Sequence, residues 1–132
     1  MCLFCKIIQQ EIPSYKVYED DKIYAFLDIF PMSKGHTLVV PKNHSDHALQ
    51  ASSQDIEACF DAIKQITSHY DKTLKATGYN IVSNVHESSG QTVLHTHFHI
   101  IPRYHLEPTL FDSFKEVKEQ LDLFSLHKDI KL

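Results

Sequence analysis

Two hydrophobic periods alternate along this chain. The clearer is a step of three and four within residues 52–77, where Ile56, Cys59, Phe60, Ile63, Ile66, Tyr70 and Leu74 make one stripe. That spacing predicts a long amphipathic helix. Ser52 followed by Asp55 resembles a capping box at its start, and Gly78 offers a stop at its end. Elsewhere short β-rich runs dominate. Residues 15–18 and 23–28 flank the polar Glu19-Asp20-Asp21-Lys22 and read as a hairpin. A third run, 36–40, is stopped by Pro41, and two more, 79–84 and 94–102, are joined by a turn-rich stretch from His86 to Gly90. A short apolar segment from Phe4 to Ile8 suits one or two helical turns ahead of Pro13. Near the end, Phe114, Val117, Leu121 and Phe124 recur at helical spacing and predict a second helix in the tail.

Five strands and one long helix on short connections define an α+β class: a five-stranded antiparallel sheet carrying one long helix and a short N-terminal helix. The 132 residues suit one domain with a single core. No apolar run approaches the roughly 20 residues of a membrane span, so no membrane association is expected. The net charge is −4 and the lysines are scattered. A nucleic acid polymer needs a clustered basic surface, and none is present. Three cysteines make a poor disulfide framework, and the start lacks the basic-then-apolar layout of a secretory signal. A cytoplasmic location is expected.

Histidine changes the picture. There are ten, and His95, His97 and His99 alternate within five residues. On a strand they share one face, while Thr96, Phe98 and Ile100 take the other. One metal ion bound by all three fits badly, because at ~3.3 Å per residue His95 and His99 stand roughly 13 Å apart. Adjacent members could still share an ion with residues from elsewhere. A row of imidazoles also suits phosphoryl chemistry. Neutral imidazole is a nucleophile near physiological pH, and covalent catalysis splits one hard displacement into two easier ones. The other ring nitrogen must then be held as a donor, so that the lone pair faces the substrate.

Cys2-x-x-Cys5 admits three readings. A redox motif wants a preceding strand, which position 2 does not allow. Two unrelated thiols are the second reading. Half of a structural zinc site is the third, with histidines completing it because Cys59 falls on the helix stripe.

The segment His95-Thr96-His97-Phe98-His99-Ile100-Ile101 resembles the histidine triad motif, with Thr96 where an apolar residue is usual. Ile7, Glu19-Asp20-Asp21, Phe26, Asp28, Pro31, His36 and Pro41-Lys42 extend the resemblance to the Hint-like branch, over about residues 2–104. The resemblance implies a HIT-like domain over 1–104, with 105–132 as a tail of the same single domain, and a homodimer with a continuous sheet. It implies nucleotidyl transfer through a histidine intermediate on a purine nucleotide. His97 would attack the α-phosphate, His99 would contact its oxygens, and the His95 carbonyl would orient the His97 ring. Thr92 would assist the leaving group and His36 would support the triad from the adjacent strand. Asn84 and Gln91 match positions near the phosphate, and Asp28 matches the ribose-binding carboxylate. Phe4, Ile7, Phe26, Ile29 and Leu38 match the apolar walls around the base. Each of these five also suits a core position, and Asp28 also suits a turn. The resemblance further implies a structural zinc ion on Cys2, Cys5, His44 and His95, with no metal required for catalysis.

The activity expected is that of a nucleoside phosphoramidase or related nucleotidyl hydrolase. Gly90-Gln91-Thr92-Val93 and Pro102-Arg103 also resemble the Fhit branch, which would make the substrate a dinucleoside polyphosphate. A nucleotide-binding regulator without significant turnover is the non-enzymatic alternative.

Overall fold

The computed structural model describes residues 2–132. Five strands, β1 (Lys16–Glu19), β2 (Ile23–Leu27), β3 (Thr37–Pro41), β4 (Gly78–Val82) and β5 (Phe98–Arg103), form one sheet in the order β1-β2-β3-β5-β4. Every neighbouring pair is antiparallel. The β1–β2 turn is closed by Asp20, whose Oδ1 accepts from the Lys22 and Ile23 backbone N–H groups.

Strand alternation gives the sheet two buried faces. On one, Ile23, Ala25, Val39, Phe98 and Ile100 pack against Cys59, Ala62, Ile63, Ile66 and Tyr70 of the long helix α2 (Ser53–Thr73). On the other, Tyr24, Phe26, Leu38 and Val40 meet Phe4 and Ile7 of α1 (Leu3–Ile8). Each large aliphatic side chain buried this way contributes about 1.5–3 kcal/mol. The sheet is thus sandwiched between a long and a short helix, and His97 and His99 fall on the α1 side.

The Ser52 hydroxyl caps α2 by accepting from the Asp55 N–H. The helix ends earlier than the predicted 52–77 span, at Thr73 with Leu74 as its C-cap, and Lys75 rather than Gly78 takes the left-handed φ, +59°. Gly78 instead opens β4. The last strand is shorter than 94–102. Residues 92–97 leave the ladder because Thr96 N–H donates to Ser45 O, drawing this segment onto the loop after β3.

The tail departs most from expectation. Among Phe114, Val117, Leu121 and Phe124, only Phe124 is helical, in α3 (Leu123–Ile130), which Asp122 caps. Two 3₁₀ turns precede it, Leu110–Ser113 and Lys118–Gln120. All four apolar side chains are exposed. A helix draws most of its stability from packing an apolar face, and among the described residues these four side chains join neither apolar cluster.

Candidate active site and metal centre

Four hydrogen bonds fix the tautomers of the triad and of His36, the first two because a carbonyl oxygen accepts and never donates. His97 Nδ1 lies 2.6 Å from its neighbour's carbonyl, His95 O, so Nδ1 carries the proton and Nε2 keeps the lone pair. His95 Nε2 lies 2.8 Å from Pro41 O, so its free lone pair is on Nδ1. For His36 the partner is a donor: the Met32 N–H points at Nδ1 across 3.0 Å. His36 must then carry its proton on Nε2 and give it to His99 Nδ1, 2.9 Å away. That leaves His99 with an Nε2–H donor.

His97 and His99 line a cleft of about 430 Å³, their ring centroids 5.1 Å apart. Phe4, Ile7, Phe26 and Leu38 form its apolar wall, so these four serve core and cleft at once. Ile29 is exposed at the rim. Asp28 is both turn former and cleft residue. Its Oδ1 accepts from the Phe30 N–H at 2.8 Å, and its Oδ2 sits 3.5 Å from His36 Nε2. Thr92 also lines the cleft. Asn84 and Gln91 do not: Asn84 stands beside Gly90, and the Gln91 amide turns inward. It donates to Asp46 O and Val93 O and accepts from the His86 N–H, holding the loop that carries Thr92.

Burial keeps the ring chemistry neutral. It is the main cause that holds His36, His95 and His97 below the ordinary histidine value. His99 is pushed down to about 4, by burial first and then by His97 and His36. An uncharged His97 is the form that has a lone pair to offer.

A second cluster lies on the far side of His95. Cys2, Cys5, His44 and His95 each offer a ligand atom, all within 4.8 Å of one another, and could hold a metal ion. His95 Nδ1 is 3.3 Å from Cys2 Sγ, 3.6 Å from Cys5 Sγ and 3.1 Å from His44 Nδ1. His44 Nε2 faces the Asp46 carboxylate at 3.1 Å, an acceptor that puts the His44 proton there. Two imidazole lone pairs therefore meet with no proton between them, an arrangement that a cation relieves. Asp28, His36 and His99 also converge. There, however, the 2.9 Å contact between rings is a hydrogen bond with its proton assigned, and a metal would have to displace it.

Besides Thr96, three supporting residues, Ser83, Ser45 and Asp46, are not singled out by the sequence. Ser83 Oγ donates to His97 O at 2.8 Å, Ser45 and Thr96 pair their hydroxyls at 2.6 Å, and Asp46 orients His44. Of these only Asp46 carries a sequence signal, a carboxylate two residues after the candidate ligand His44.

Comparison with known proteins agrees with this geometry. Residues 9–106 match the HIT domain. An uncharacterized HIT-like protein of Methanocaldococcus jannaschii is 47% identical over 131 residues, covering 99% of both chains. The adenosine 5'-monophosphoramidase of Candida albicans is 34% identical over 134 residues, 91% of this chain and 88% of its own. The crystal structure of a HIT family protein from Bacillus anthracis superposes with a TM-score of 0.82 at 34% identity, covering 97% of this chain and 91% of that one. The chain belongs to the HIT family.

Proposed function

We propose that this protein is a nucleotidyl hydrolase or transferase that cleaves purine nucleoside phosphoramidates or related nucleotides at the α-phosphate. The observation that carries the reading is the 2.6 Å bond from His97 Nδ1–H to His95 O, which leaves Nε2 as the nucleophilic nitrogen of a cleft-lining ring. In the first step the Nε2 lone pair forms a bond to phosphorus and the phosphorus–nitrogen bond to the leaving amine breaks. Thr92 assists the departing amine, its hydroxyl relaying to the nitrogen a proton that solvent water replaces. His99 Nε2–H donates to a phosphate oxygen as charge builds there. Water then attacks phosphorus and releases a proton to solvent, the bond to Nε2 breaks with its electron pair returning to the ring, and neutral His97 is restored. Asp28 is assigned to the ribose hydroxyls, and Phe4, Ile7, Phe26, Ile29 and Leu38 to the base. Gln91 holds the phosphate-side loop, with Asn84 beside it.

The lone-pair geometry of the second cluster supports zinc. Tetrahedral zinc with bonds of about 2.0 Å to nitrogen and 2.3 Å to sulfur implies ligand spacings of about 3.3 Å N···N and 3.5 Å N···S. The contacts of 3.1, 3.3, 3.5 and 3.6 Å fall around those values. Burial and the neighbouring Cys2 sulfur push the Cys5 thiol up to about 11, a cost that a cation would reverse by drawing out the thiolate. Such an ion would supply a structural cross-link, and no reacting atom is assigned to it.

The named activity of the Candida relative supports a phosphoramidate over a dinucleoside polyphosphate. Turnover on adenosine phosphoramidate should exceed that on diadenosine polyphosphate. Faster polyphosphate cleavage would reverse the substrate assignment, and tight nucleotide binding without turnover would make the protein a regulator. We place the protein in the cytoplasm, consistent with its three free cysteines, and the free edge of β4 supports a homodimer with a continuous sheet. Light scattering at micromolar concentration should give twice the chain mass.

A further inference from the structure

We propose that the four-ligand cluster clamps the nucleophile: an ion held there fixes, through His95 and Phe4, the position of the His97 ring. The proposal rests on the hydrolase reading above and deepens it.

Three connections run between the two centres. The first is a single residue. His95 contributes ring Nδ1 to the cluster and its own backbone carbonyl to His97 Nδ1–H, so whatever holds the ring also holds the acceptor that sets the nucleophile's tautomer. The second is α1. Cys2 caps this helix, its Sγ accepting from the Cys5 N–H at 3.4 Å, and Phe4 lies between the two thiol residues. The Phe4 ring stands at 90° to that of His97, centroids 5.0 Å apart, and 6.0 Å from His95. A helix of six residues has almost no stability of its own. Its anchors are Phe4, Ile7 and the cluster. The third runs through the backbone: Ser45, next to His44, accepts from the N–H of Thr96, which lies between His95 and His97.

Without an ion, His44 and His95 present opposed lone pairs, and α1 keeps only its apolar contacts. The His95 carbonyl and the Phe4 ring then gain freedom together. A displacement near 1 Å at a nucleophile costs on the order of a hundredfold in rate. Chemistry persists, because no reacting atom is bound to the ion, but each turnover starts from a less ordered ring.

The test compares zinc-loaded protein with protein stripped by a chelator, using Zn²⁺ alone as the probe. The readout independent of activity is the downfield proton resonance of His97 Nδ1–H in nitrogen-15-labelled protein. Stripping should shift or broaden that resonance and lower kcat about tenfold or more, and added Zn²⁺ should restore both. An unchanged resonance and kcat in stripped protein with a dispersed amide spectrum would overturn the clamp, as would failure of the chain to bind Zn²⁺. Because stripping can unfold the chain, Phe4→Leu in zinc-loaded protein is the second arm. It should keep one zinc per chain, broaden the His97 resonance and lower kcat beyond any change in KM. No effect on either would equally overturn the proposal. Absence of nucleotide turnover in every form refutes the hydrolase reading instead, and the resonance still decides whether the cluster orders His97.

Discussion

At His97 one ring nitrogen is committed to the His95 carbonyl and the other has no hydrogen-bond partner among the described residues. The other imidazole lining the cleft, His99, has its Nδ1 lone pair occupied by His36 Nε2–H. Substituting His97→Asn should therefore abolish turnover while leaving the fold intact. A loss of even ~8 kcal/mol in transition-state stabilisation slows the reaction roughly a millionfold. Single-turnover assays retaining a tenth of the rate would remove His97 from the role. His36 acts at one remove. Replacing it with Phe keeps an aromatic ring, a slightly larger one, but deletes the proton that pins His99 and leaves the Met32 N–H without its acceptor. The expected result is a kcat lowered tenfold or more, little change in KM, and a stability loss of about 1–3 kcal/mol for the orphaned donor. A kcat within twofold of wild type would show that His99 finds its tautomer unaided.

At the level of elements, Gly35 decides how β3 begins and hence where His36 points. Its φ is +91°, and a Cβ there would sit 2.6 Å from Leu74 Cδ1 and 3.3 Å from Pro102 Cγ. The leucine terminus can move aside, but the left-handed backbone still costs a side chain about 1–2 kcal/mol. Gly35→Ala should lose at least that much in urea unfolding. Gly78→Ala should be near neutral, because nothing lies within 4 Å of its Cβ position and its φ is not positive. Equal losses at both sites would show that the left-handed turn at Gly35 carries no special cost, since removing glycine's unfolded-state freedom by itself stabilises. The same pair shows what a sequence reveals. The α2 stripe was legible because one helix face buries one set of residues, while its end was not, since Lys75 accepts a positive φ that glycine was expected to supply. The start of β5 was misplaced because alternation continues through 94–97, whereas the backbone there bonds to Ser45, fifty-one residues away. The triad was legible as residue types, and the Cys2, Cys5, His44 and His95 set only through the family resemblance. Their tautomers were not, because each depends on a partner from another strand or loop.

Across the whole molecule, burying several neutral histidines ties stability to acidity. No helix among the described residues is long and apolar enough to cross a membrane, and the sheet gathers His36, His95, His97 and His99 within its own layers. His99 provides the clearest case, with a native value of about 4 against the ordinary 6.5. Above pH 7 neither the folded nor the unfolded chain holds this proton, so it contributes nothing to the balance. As pH falls through 6.5 the unfolded chain takes up the proton and the native state refuses it until about 4. The unfolded state then binds more protons, and stability must fall with pH across that window. At 1.36 kcal/mol per unit of difference, His99 alone removes about 3 kcal/mol by pH 4, and nothing further below it. His99→Gln has no such proton and leaves Cys2, Cys5, His44 and His95 in place. Urea midpoints from pH 7.5 to 4.5 should therefore decline less steeply in the variant than in wild type, the gap opening below pH 6.5. Parallel curves would mean that His99 already takes up its proton in the folded chain, and that His36 does not donate to it as the 2.9 Å contact implies.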